Sequence, residues 1–141
     1  MNIIEKYDYP ALKRITNSGS RLYNTPSGNL PSVTTILDKT KDKTFLVEWR
    51  KRVGDSEAKR ITKEASGLGT LFHKHLENYI LDKPRPSGNN LVYKLAEGMS
   101  DVVIEKGLIN VDEIWGSEIN LYYPDLYAGT TDLVGVHNGT P

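Results

Sequence analysis

Cysteine is absent from this chain. That one absence removes disulfide frameworks, thiolate zinc sites and cysteine nucleophiles together. It is also compatible with a reducing compartment. An excess of charge of either sign is missing too, because 18 Lys and Arg residues balance 18 Asp and Glu residues. Any nucleic-acid site must therefore be a local patch rather than a property of the whole surface. No stretch approaches the roughly 20 apolar residues of a membrane span. The N-terminus sets Glu5, Lys6 and Asp8 among its apolar residues. It therefore lacks the apolar core, about 7–15 residues long, of a signal peptide. These absences predict a soluble, cytoplasmic protein with no membrane partner. The chain of 141 residues is long enough for one domain and not comfortably for two.

Turn chemistry dominates residues 1–31, where Pro10, Pro26 and Pro31 alternate with Gly19 and Gly28. Ser20–Tyr23 reads as a short strand running into the turn at Thr25–Asn29. Ser32 precedes Val33, Ile36 and Leu37, which is an N-cap signal for a short helix over about 32–38. Phe45, Leu46, Trp49 and Val53 recur at helical spacing, with Trp49 expected in the core, and Gly54 is a stop. Asp55 or Ser56 is expected to cap the next helix, through Ala58, Ile61 and Ala65. Ser66-Gly67-Leu68-Gly69 is expected to interrupt or loosen it before it resumes to about Leu81. Asn90–Lys106 is a further helix whose apolar side is Leu91, Leu95, Met99, Val102 and Val103. Then the period changes. Val111–Tyr123 and Tyr127–Val136 read as strands around a Pro124-Asp125 turn, and Asn138-Gly139 is another turn signal. The expected fold class is α+β, a single domain over 1–141. It comprises a strand, turn and short helix (1–43), a helical region (44–107) and a β-hairpin (111–137).

Three clusters could carry chemistry. His73 and Glu77 are four residues apart, so a helix sets them on one face, within reach of one ion or phosphate. Such a pair on an amphipathic helix is most often simply solvated. His75 points to another side and is expected on the surface. Asp132, flanked by Leu133 and Val134, is unusual because Asp is depleted in strands. Gly129 allows close backbone approach by a ligand or another segment. Glu118 lies on the other strand of the hairpin. If Tyr123 pairs with Ala128, Glu118 faces away from Asp132, and a bulge or one-residue slip reverses that. One imidazole with carboxylates and no thiolate suits Mg²⁺ or Mn²⁺, and such a site suits phosphodiester hydrolysis. Arg21, Arg50, Lys51, Arg52 and Lys74 are candidate DNA contacts, although most basic residues also read as solvated helix faces. Tyr23, Trp49, Tyr79 and Tyr93 are candidates for base stacking.

These residues carry a resemblance. Arg21-x-Tyr23-x-Thr25-Pro26-x-Gly28, then Leu30-Pro31-Ser32-Val33-Thr34-Thr35-Ile36-Leu37, resembles the N-terminal region of RecB-like exonucleases of the PD-(D/E)XK superfamily. Phage exonucleases and the mitochondrial genome maintenance exonuclease are such proteins. Gly69-Thr70-x-x-His73-x-x-x-Glu77 resembles the first helical motif of that family. Ser117-Glu118 and Tyr127-Ala128-Gly129-Thr130-x-Asp132 resemble its strand motif. The resemblance implies a nuclease of DNA recombination or repair, acting on single strands or ends, in the host cytoplasm if phage-encoded. His73 and Asp132 would ligate the metal, and Glu77, Glu118 and Asp132 would form the catalytic set. The family also needs a D/E-x-K pair on the next strand, which is not among these residues. The expectation is therefore the first helix and first two strands of the core. The chain would be inactive until a missing C-terminal segment or a complementing chain supplied the pair. A non-catalytic DNA-binding module or an interaction protein is the alternative.

Overall fold

The computed structural model describes all of residues 1–141, in an α+β arrangement of four α-helices and two small antiparallel sheets. Strands β1 (Lys13–Asn17), β2 (Ser20–Thr25) and β3 (Gly28–Pro31) form a meander in that order. The N-terminal region thus holds a three-stranded sheet where the sequence predicts one short strand. Ser18 and Gly19, both at positive φ, make the first turn, which suits a two-residue hairpin loop. Helix α1 (Val33–Thr40) follows, and the Ser32 hydroxyl accepts from the Thr35 amide at 3.1 Å, as the N-cap signal predicts.

Helices α2 (Thr44–Val53) and α3 (Asp55–Ile80) meet at Gly54. Gly54 adopts φ +87° and is itself the N-cap of α3. Neither Asp55 nor Ser56 caps that helix: both lie inside its first turn, where Asp55 and Glu57 complement the positive end of the helix dipole. Contrary to expectation, α3 is continuous through Gly67 and Gly69. Two glycines cost about 1 kcal/mol each relative to alanine, an amount tertiary packing along a 26-residue helix outweighs. Helix α4 (Leu91–Lys106) opens on Asn90, whose side chain accepts from the Tyr93 amide at 3.0 Å. A 3₁₀ turn (Leu108–Asn110) leads to β4 (Val111–Tyr123), which pairs with β5 (Tyr127–His137).

The chain divides into two compact units, and both β4 and β5 contribute residues to each. The first comprises 1–3, 43–114 and 135–141. Its main packing sets α3 against α4. The buried side of α4 is Ala96 and Ser100, not the predicted stripe, and Leu91, Leu95, Met99 and Val102 are exposed. Small residues let the two helices approach closely, and the larger apolar side chains are left outside. Phe45 is likewise exposed and Trp49 only half-buried, so α2 is not the core helix its spacing suggests.

The second unit comprises 4–42 and 115–134. Its core is Tyr23, Leu30 and Ala128, with Leu12 and Tyr122 against it. Ser32 forms a parallel bridge with Ala128, which seats the start of α1 beside β5. A Cβ at Gly129 would meet Val33 Cγ2 at 3.4 Å, an ordinary van der Waals contact. Trp115 is buried under Tyr7 in an edge-to-face contact, and the Lys6 ammonium lies 3.6 Å from its ring centroid. No helix is long and apolar enough to cross a membrane.

Candidate metal centre

Glu118 and Asp132 lie on the two strands of one hairpin. A regular ladder from Tyr123–Ala128 would send them to opposite faces. Glu118 adopts φ +53°, in the left-handed region, in the middle of β4. Next to it, the Ser117 hydroxyl donates to the Asp132 carbonyl oxygen at 3.2 Å and pins β4 to β5 at this point. A carboxylate oxygen of Glu118 and one of Asp132 lie within 4.8 Å of each other.

A non-glycine residue in the left-handed region carries a backbone cost, and it falls beside the two carboxylates. The donor set is hard oxygen, suited to Mg²⁺ or Mn²⁺ rather than structural zinc.

His73 is exposed on α3 in the first unit. Glu77 is one turn further along the same helix and half-buried, where it receives the Lys74 ammonium at 2.9 Å. Lys74, a candidate DNA contact, is exposed and pairs with Glu77. Arg50, Lys51 and Arg52 are exposed in the last turn of α2, where positive charge complements the helix dipole. Arg60 is held between Glu57 and Glu64, which is the solvated-face reading of that helix. Arg21 extends from β2 in the second unit and lines a cavity there. Of the stacking candidates, Tyr23 is buried with its hydroxyl 2.8 Å from Thr130 Oγ1, so it is core.

Sequence reasoning misplaced His75. It is 1% exposed, not on the surface. Arg85 Nε donates to His75 Nδ1 at 3.0 Å, and Arg85 Nη2 donates to Ser100 Oγ at 2.7 Å and pairs with Asp101 at 2.7 Å. With Nδ1 accepting, the neutral ring carries its proton on Nε2, which is buried without a partner. Burial first, and the Arg85 charge second, hold the His75 pKa below its ordinary value, against the opposing pull of Glu97 and Asp101. The available signal was Arg85 between Pro84 and Pro86, a charged residue on a stiff segment directly after the helix.

Scans against protein-family models, curated proteins and solved structures find no match for this chain.

Proposed function

We propose that Asp132 and Glu118 bind one divalent cation, Mg²⁺ or Mn²⁺, with His73 as the further ligand that the motif resemblance implies, and that this centre acts on the phosphodiester backbone of DNA. The observation that carries the reading is the approach of two carboxylates on one hairpin: an oxygen of Glu118 lies within 4.8 Å of one of Asp132. Two ligands of one Mg²⁺ are at most about 4.2 Å apart at bonds of about 2.1 Å. The two carboxylate donors are thus at or just beyond coordination spacing. The likeness of the motifs around His73, Glu118 and Asp132 to RecB-like exonucleases supports the same reading.

A cation so held supplies Lewis-acid polarisation of a phosphate oxygen and activation of a water. Within the proposal, the residues of this chain hold and orient. Asp132 and Glu118 supply negative charge from the two strands of one hairpin. Glu77, one helical turn from His73, orients Lys74 through the ion pair at 2.9 Å. Neither β4 nor β5 carries a D/E-x-K pair, so the residues named here are expected to hold metal and not by themselves to hydrolyse DNA rapidly.

Mn²⁺ titration followed by electron paramagnetic resonance or calorimetry tests this directly. One site is expected, with affinity lowered at least ~10-fold in Asp132→Asn and Glu118→Gln, and lowered in His73→Ala. Equal Mn²⁺ binding by wild type and Asp132→Asn would sink the proposal.

A further inference from the structure

The second unit contains a cavity of about 480 Å³ that the proposed metal centre does not use. Its lining combines two arginines with a set of tyrosines, and the sheet register explains why. Arg14 pairs directly with Tyr23, and Arg21 lies two residues before Tyr23 on the same strand. With side chains alternating at period two, all three share one face of the sheet. Arg14 and Arg21 thus flank a buried tyrosine whose hydroxyl is tied to Thr130. Neither guanidinium takes part in a salt bridge, whereas Arg60 and Arg85 both do.

The opposite wall is the tip of the β4–β5 hairpin, with Tyr122, Tyr123 and Tyr127. Tyr123 and Tyr127 are 57% and 40% exposed, and their rings stack at 5.8 Å and 30°. Exposed stacked tyrosines beside a cavity present a flat π-face that the fold does not cover. The volume falls in the range of about 300–1,000 Å³ typical of small-molecule sites. It is larger than an isolated phosphate needs.

We propose that this cavity binds one nucleotide unit, with its phosphate on Arg14 and Arg21 and its base against Tyr123 and Tyr127. Guanidinium forks match phosphate oxygens, and a tyrosine platform accepts any base through its π-face. The choice of a nucleotide over another aromatic anion rests on the nuclease reading above. The nucleotide comes either from single-stranded DNA or from a free mononucleotide, and the test separates the two.

The test is fluorescence anisotropy of 3′-labelled, 5′-phosphorylated dT8 in EDTA, over a range of NaCl. Metal is excluded, so failure of the metal centre leaves the result untouched. In the Arg14→Ala/Arg21→Ala double variant, affinity is expected to fall at least ~10-fold. The slope of log K against log salt should shrink by about 0.7 per arginine. Tyr127→Ser should weaken binding about 5-fold or more with the slope unchanged, since stacking carries no counterion release. Because Arg14, Arg21 and Tyr127 are exposed, circular dichroism should confirm folding of each variant. Competition by dTMP with the same arginine dependence would assign the site to free nucleotide and support the proposal. Wild-type affinity and slope in the double variant would overturn it. So would phosphotyrosine competing as well as dTMP, because the tyrosine platform would then not be reading a base.

Discussion

Arg85 Nε donates to His75 Nδ1 at 3.0 Å, across ten residues that include the end of helix α3 and Pro84. The same guanidinium reaches Ser100 and Asp101 on α4. One side chain thereby joins a buried imidazole to the neighbouring helix and satisfies polar atoms that packing alone would strand.

The first expected consequence is acid sensitivity. The folded His75 pKa lies below its ordinary value, so the unfolded chain takes up the proton first as pH falls. Above about pH 6.5 the ring is neutral in both states and contributes no pH dependence. Below that, stability should decline, by at most about 1.4 kcal/mol per pH unit for one proton, until the folded ring is also protonated. Thermal melts at pH 7 and pH 5 should differ more for wild type than for His75→Gln. An equal difference would mean that other groups carry the acid response.

Arg85→Ala removes the donor to His75 Nδ1 and to Ser100 Oγ, and leaves Asp101 without this partner. Buried polar atoms deprived of a partner cost about 1–3 kcal/mol. Chemical denaturation should show a midpoint lowered by that amount. Arg85→Lys should recover only part of the loss, because an ammonium cannot reproduce the fork that spans two helices.

Gly135→Ala should be among the most damaging single substitutions. A Cβ at this position would lie 2.1 Å from the carbonyl oxygen of Glu113 on the paired strand. Backbone cannot yield as a flexible side chain does, so β4 and β5 must part locally. A loss of about 3 kcal/mol is expected. Urea denaturation of Gly135→Ala against Gly98→Ala, where a Cβ meets nothing within 4 Å, separates close strand approach from any general effect of losing glycine.

Metal binding to the folded chain should also raise its melting temperature. At a cation concentration 100 times Kd the gain is about 2.7 kcal/mol. It should vanish on adding EDTA and in Asp132→Asn.

Much of the architecture was legible along the chain because it is local. Ser32 and Asn90 announce their helices through a hydroxyl and an amide placed three residues before the amide they accept from. Pro124-Asp125 and Asn138-Gly139 announce turns, and Asp125, Asn138 and Gly139 indeed adopt positive φ. The change from helical to alternating periodicity after Gly107 likewise marks the start of the strands. Each of these signals acts over a few residues, so sequence order alone transmits it.

The side from which each element is buried was decided elsewhere. The apolar stripe of α4 does not reveal that Ala96 and Ser100 face α3, nor does the spacing at 73–77 reveal that His75 is buried. Burial depends on what lies across from a residue, and that partner comes from ten to a hundred positions away. The pairing of Glu118 with Asp132 belongs to the same class. The sequence by itself determined that both acids lie on one hairpin, with Arg21 and Tyr23 on an early strand. The tertiary structure decided that the two strands pair so as to bring the two carboxylates together. The physical reason is that strand register is a property of a pair of strands, which neither segment carries alone.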